Sequence, residues 1–199
     1  YTFGQFDIGD NTWSTPVDIN ASATISASFA NNQLFIAKTR AGGFVTGRVN
    51  NAVNSEAYKS SDGSSWSSIA NPFESNTNDY VLGVSVDTGD PADSGIAFWD
   101  VSADAISVKM YDDSANSWTE TAIASSMVEP ALQFYNFSVR TRRSDGHTIL
   151  VAWNGEDTAN NDLKVWDLTL NSIAAPTVTA KTDAVLRSEE HTSELQSQR

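Results

Sequence analysis

Three arginines close together, Arg140, Arg142 and Arg143 of "RTRR", are the one basic cluster in an otherwise acidic chain. On the stretch "FYNFSVRTR", strand alternation puts Asn136, Ser138, Arg140 and Arg142 on one face and Tyr135, Phe137 and Val139 on the other. These arginines are the candidate ligand-binding residues. The competing reading is a solvated strand end that leads into the "SDGH" turn. Two acidic loops, "DTGDPADSG" (87–95) and "NGEDTANND" (154–162), have the carboxylates and carbonyls that Ca²⁺ takes. Neither has the spacing of a D-x-[DN]-x-[DN]-G loop, so solvated connections read better and no metal ligand is assigned. His147 follows a Ser-Asp-Gly turn with no second His or Cys nearby for zinc and no evident serine triad. No phosphate-binding loop is present, and the catalytic residues, if any, are unassigned. Asn20 and Asn136 begin N-x-S sequons, which matter only in a eukaryotic secretory setting.

Composition narrows the partners. The net charge is −13, and residues 187–199 hold two Arg and three Glu, so the acidity belongs to the rest of the chain. Such a surface repels nucleic acid and anionic membrane. No apolar run approaches the length of a membrane span. The chain has no Cys, which excludes disulfides and thiolate metal sites. This balance suits a secreted or extracellular bacterial protein. The chain begins at Tyr1 with neither Met nor signal peptide, so further sequence is expected ahead of it.

The elements that would position these residues repeat. Ser, Asn, Asp, Thr and Gly dominate, and short β-branched or aromatic runs recur between turn clusters, a pattern that predicts an all-β fold. In "QFDIGDNTWSTPVDI", "KMYDDSANSWTETAI" and "KVWDLTLNSIAAPTV" an aromatic residue (Phe6, Tyr111, Trp166) is followed at once by Asp7, Asp112 or Asp167. Asn then comes four residues later, and a large apolar residue (Trp13, Trp118, Ile173) two beyond it. A looser copy, "YKSSDGSSWSSI", carries Asp62, Gly63 and Trp66. Successive spacings from Trp13 through Trp66 and Trp118 to Ile173 are 53, 52 and 55. Each copy reads as a β-hairpin in which the aromatic ends one strand, the Asp accepts turn N–H groups, and the Trp begins the next strand.

Two more strands are predicted ahead of each hairpin. The second is an apolar run, "LFIA" (34–37), "IAFW" (96–99) or "ILVAW" (149–153), expected to be buried on both faces. The first begins near Ile25, Tyr80 and Phe134. The fourth tolerates proline, as an edge strand does. Four strands per period of about 53 residues describe a β-propeller blade. The expected architecture is an incomplete ring of about three and a half blades. Residues 1–20 form the outer half of a blade, 21–70, 71–124 and 125–180 form whole blades, and 181–186 start the next. A β-sandwich would explain the strands but not the regular aromatic hairpin. The six Trp invite a carbohydrate-stacking role, but Trp13, Trp66, Trp118 and Trp166 occupy repeat positions. Trp99 and Trp153 end matching strands, so repetition points to packing between blades.

"SSDGSSW" (60–66) resembles the Asp-box of sialidase-type propellers, one residue short of its usual Asp-to-Trp spacing. "VKMYDDSANSW" (108–118) resembles a kelch repeat, although the paired glycines of that family occur once, as Gly42 and Gly43. Both resemblances imply that the hairpins are structural and lie away from any active site. A sialidase-like glycoside hydrolase would need three arginines on the sugar carboxylate, a Tyr–Glu nucleophile pair and an acid Asp. Arg140 and Arg142 are the available arginines, but Glu129 and Tyr135 have no diagnostic spacing, so no pair is assigned. The reading that fits best is a non-catalytic binding module of a larger protein. Its partners would be a protein or glycan and the remaining blades of its ring. The alternative is a sialidase-like hydrolase whose site is completed elsewhere.

The tail breaks the pattern. "AVL" (184–186) suits the start of a fourth inner strand, but "RSEEHTSELQS" (187–197) is charged where that strand should be apolar. Residues 187–199 also resemble the in-frame translation of a sequencing-library adapter. They are therefore expected to be an artefact of assembly from metagenomic reads, and His191 is given no role.

Overall fold

The computed structural model describes residues 2–19, 33–49, 55–73, 80–128, 137–142, 144–155 and 163–181, and these are strand, bend and turn. The expected strand starts at Ile25 and Phe134, and the tail 187–199, lie outside the described residues. No helix among those described is long and apolar enough to cross a membrane.

An opening hairpin comprises β1 (Thr2–Phe3) and β2 (Phe6–Asp7), answered by β3 (Thr12–Trp13) and β4 (Val17–Asp18). Phe3 pairs with Val17, and Phe6 with Trp13. Three antiparallel meanders follow. The first contains β5 (Gln33–Lys38), β6 (Phe44–Val49), β7 (Glu56–Ser60) and β8 (Ser67–Ile69). The second contains β9 (Tyr80–Val84), β10 (Ser94–Asp100), β11 (Ala105–Asp112) and β12 (Ser117–Ala124). The third contains β13 (Phe137–Thr141), β14 (Thr148–Trp153), β15 (Leu163–Thr169) and β16 (Thr177–Ala180).

The sheets meet through their first strands, with β9 lying against β5 on one side and β13 on the other. A two-layer sandwich has no such row of sheets. Close approach of β5 and β9 depends on Gly83, where a Cβ would stand 2.2 Å from the Ile36 carbonyl oxygen. The apolar core therefore lies between blades. Phe35, Val45, Ile69 and Phe73 of the first blade pack with Val81, Ile96, Phe98 and Tyr111 of the second. The other face of the second blade, with Trp99, Ile106, Val108 and Met110, packs on Leu150, Trp166 and Leu168 of the third.

Two local expectations need correction. "LFIA" is the first strand of its blade, not the second; "FVTGRV" (44–49) takes the second place. It is also not buried on both faces, because Phe35 and Ala37 face the second blade while Leu34 and Ile36 are 57% and 51% exposed. By contrast β10, which has a blade on each side, is buried from Ser94 to Trp99. The third aromatic hairpin also differs. β15 runs on past Trp166 and Asp167 to Thr169, and Trp166 pairs with Ala180 rather than with Ile173. Ile173 lies in the wider turn and packs against the core from there.

Candidate functional site

The repeated Asp residues are turn-closers in three of the four hairpins. Asp7 Oδ1 accepts the Gly9 N–H at 2.7 Å, and Asp112 Oδ1 accepts the Ser114 hydroxyl at 2.7 Å and the Ala115 N–H at 2.9 Å. Asp62 Oδ1 accepts the N–H groups of Ser64 (2.7 Å) and Ser65 (3.2 Å), while Gly63 takes a φ of 78°. These donors, Ser64 N–H first for Asp62 and the Ser114 hydroxyl first for Asp112, hold both carboxyls below the usual carboxylate range. Trp66 packs on Phe3, and Trp118 reaches the first blade through its indole N–H.

Asp167 has a different set of partners. His147 Nδ1 lies 2.7 Å from Asp167 Oδ1, and His147 Nε2 is 3.3 Å from Thr169 Oγ1. Lys181 Nζ and Arg142 Nη2 approach Asp167 Oδ2 at 3.4 and 3.5 Å. Burial alone would push the Asp167 carboxyl up, but the hydrogen bond from His147 and the nearby cations outweigh it and hold the group down. Sequence reading left His147 alone. The signal available was Asp167, an aromatic-Asp copy followed by no turn within three residues.

The arginine candidates divide. Arg142 Nε lies 2.8 and 2.9 Å from the two oxygens of Asp145, and its Nη2 bonds the same carboxylate. That pairing lowers the Asp145 carboxyl to about 2. Arg140 is exposed and donates to its neighbour's carbonyl, that of Val139, at 2.8 Å. Arg143 lies outside the described residues, as do Asn136, Tyr135 and Glu129. Arg142 thus sits in the β13–β14 turn, at the same end of the blade as the β15–β16 turn.

The acidic loop 87–95 is closed on itself. Asp93 is buried, accepts the Thr88 hydroxyl at 2.6 Å through Oδ2, and takes the Asp113 N–H at 3.0 Å through Oδ1. Asp87 pairs with Arg40. Of the second loop, Asn154 accepts the Val128 N–H at 2.9 Å, and residues 156–162 lie outside the described set. No group of three or more His, Asp or Glu placed to hold a metal occurs among the described residues.

At the opposite end of the first blade the strands assemble a polar cluster that sequence reading missed. Arg48 and Glu56 are directly paired across β6 and β7, and Tyr58 follows on the same face. Arg48 Nε is 2.8 Å from Glu56 Oε1, and the Tyr58 hydroxyl donates to Glu56 Oε2 at 2.9 Å. The Arg48 side chain is almost wholly buried and Glu56 is partly open. Two-residue spacing of Glu56 and Tyr58 on a strand was visible in the sequence; the pairing with Arg48 depends on register and was not.

No protein-family model and no curated protein matches the chain. Among solved structures it is similar to the α-L-arabinofuranosidase Arb93A from Fusarium graminearum, solved in complex with an iminosugar inhibitor. The match has 15% identity and a TM-score of 0.50, and covers 79% of this chain and 50% of that one. The fold is a β-propeller. The chain spans about half the length of this neighbour, and its described residues form three four-stranded blades and an additional outer hairpin. Propellers host unrelated activities, so the likeness gives the architecture and leaves the chemistry to the sites.

Proposed function

We propose that the chain is part of an extracellular bacterial β-propeller that binds a glycan. The observation that carries this reading is the Arg48–Glu56–Tyr58 cluster. Glu56 is the partly open member of the cluster; its carboxylate, oriented by Arg48 and Tyr58, can accept further hydrogen bonds from sugar hydroxyls, and the Tyr58 ring adds apolar surface. That the structural neighbour holds an iminosugar supports a sugar-sized ligand. Further blades of the same ring are the other partners. Trp153 is 45% exposed, whereas Trp99, at the matching end of β10, is covered by Phe137 of the next blade.

The test is calorimetric titration of the full chain with arabino-, galacto- and sialyl-oligosaccharides, repeated with Glu56→Gln. Saturable binding is expected, with at least one binding component lost in Glu56→Gln. Equal binding by the variant, or no binding of any saccharide, overturns the reading.

One observation favours a second reading, a glycoside hydrolase. The hydrogen bond from Tyr58 to Glu56 resembles the Tyr–Glu pair of a sialidase-like hydrolase: the phenol would attack the anomeric carbon as Glu56 takes its proton, and the glycosidic oxygen would leave with a proton from an acid supplied by the remaining blades. Hydrolysis of fluorogenic sialosides and arabinofuranosides, lost in Tyr58→Phe, is its signature. A chain that binds glycans but releases no fluorophore leaves the binding reading alone.

A further inference from the structure

A cavity of about 360 Å³ opens between the first and second blades at their turn end, away from Arg48, Glu56 and Tyr58. It is at the small end of the range for ligand clefts, about 300–1,000 Å³, and has room for one sugar ring. Its two charged groups neutralise each other. Lys59 Nζ lies 2.6 Å from Asp113 Oδ1 across the blade boundary, and 5.9 Å from the centre of the Tyr111 ring.

Both members of this pair keep spare capacity. An ammonium has three donors, and Asp113 Oδ2 takes no hydrogen bond among the described residues. Around them stand the hydroxyls of Thr39, Ser61, Ser65 and Ser67, none of which bonds another described residue through its side chain. Ala41, Val45 and Ala92 add apolar surface to the wall.

A free anion entering this space meets Asp113, and a free cation meets Lys59. A neutral ring with hydroxyls along one edge and C–H groups on the other matches both walls. We propose that this inter-blade cavity binds a single neutral sugar residue. This site is separate from the Arg48–Glu56–Tyr58 cluster, and its occupancy does not depend on the function assigned there.

The experiment is saturation-transfer NMR on the full chain with L-arabinose, D-galactose and D-glucose, using sulfate and putrescine as competitors. At least one sugar should give a saturable signal that neither ion displaces. Ser67→Phe, which fills the cavity, should abolish it. Combined Ser61→Ala, Ser65→Ala and Ser67→Ala should weaken it by at least about tenfold. In Glu56→Gln a saturable signal should remain and should still be lost when Ser67→Phe is added, which separates this site from the first. If Ser67→Phe fails to fold, the triple variant decides. The proposal is overturned if no sugar gives a saturable signal, if the signal in Glu56→Gln survives these cavity substitutions or is absent before they are made, or if sulfate or putrescine displaces the sugar.

Discussion

The indole N–H of Trp118 donates to the Ala70 carbonyl, 2.8 Å away in the preceding blade. The Ala70 N–H in turn donates to Asn116 Oδ1 at 3.1 Å, and the Tyr111 hydroxyl donates to the same oxygen at 2.9 Å. The aromatic hairpin is therefore a clamp between blades as well as a turn. Asn116 reaches its place because the chain there takes a φ of 50°, which Asn tolerates better than most side chains.

Trp118→Phe keeps an aromatic side chain but removes the indole N–H and part of the packed surface, leaving the Ala70 carbonyl without this partner. A loss of about 1 kcal/mol is expected. In a domain of this size that lowers the melting temperature by roughly 2–4 °C. Thermal unfolding followed by tryptophan-independent circular dichroism measures it. An unchanged midpoint would mean that packing alone holds the clamp.

Gly83→Ala tests the inner strands. The added methyl would stand 2.2 Å from the Ile36 carbonyl oxygen and 3.2 Å from the Ala37 Cα, both backbone atoms that no rotamer change can move. β5 and β9 must separate, opening the packing of Phe35 against the second blade. A destabilisation near the upper end of the overpacking range, about 3 kcal/mol, is expected in urea unfolding. Wild-type stability in this variant would show that the first strands do not approach as closely as described.

Most of the architecture was legible because a propeller repeats its packing problem. Trp13, Trp66 and Trp118 recur at a near-constant interval since each closes the same hairpin. What the sequence could not reveal was register and neighbourhood. "LFIA" and "IAFW" look alike, yet β10 is covered on both faces whereas β5 is covered on the Phe35 side only among the described residues. The Trp166–Asp167 copy keeps the residue types of the motif but not its turn, because His147 and Lys181 draw Asp167 into a charge cluster within the blade. Arg48 and Glu56 are eight residues apart and meet only through β6–β7 register. Composition has no mark for such a pair.

The turn of the third blade should respond to acid. Asp145 falls from an ordinary value of 3.8 to about 2 because Arg142 hydrogen-bonds it, with the His147 N–H and charge assisting. A depressed carboxyl contributes stability that is fully present above its unfolded value and disappears as pH falls through its folded value. The loss therefore falls between about pH 4 and pH 2, and Asp167, also depressed, adds to it in the same direction. Asp145→Asn should flatten the acid limb of a stability–pH curve in that window and leave the curve's slope near neutrality unchanged. An acid limb identical to wild type would remove Asp145 from the account.

The face carrying Leu34 and Ile36 should make the chain self-associate. On β9 the corresponding side, with Val81 and Gly83, is buried against the first blade. Leu34 and Ile36 present the same kind of surface, adjacent apolar side chains on an innermost strand, and remain half exposed among the described residues. Trp13, 71% exposed beside Phe6, continues the open surface on the outer hairpin, where Trp118 is seated on Ala70. Burying such side chains in a second molecule gains roughly 25 cal/mol per Å² of apolar surface. Sedimentation equilibrium should therefore show concentration-dependent association of the wild-type chain. Leu34→Lys with Ile36→Lys should shift it towards monomer, because two ammonium groups would have to be desolvated to bury the same face. A wild-type chain that stays monomeric at every concentration, or association unaffected by the two lysines, would count against this face as the sticky one.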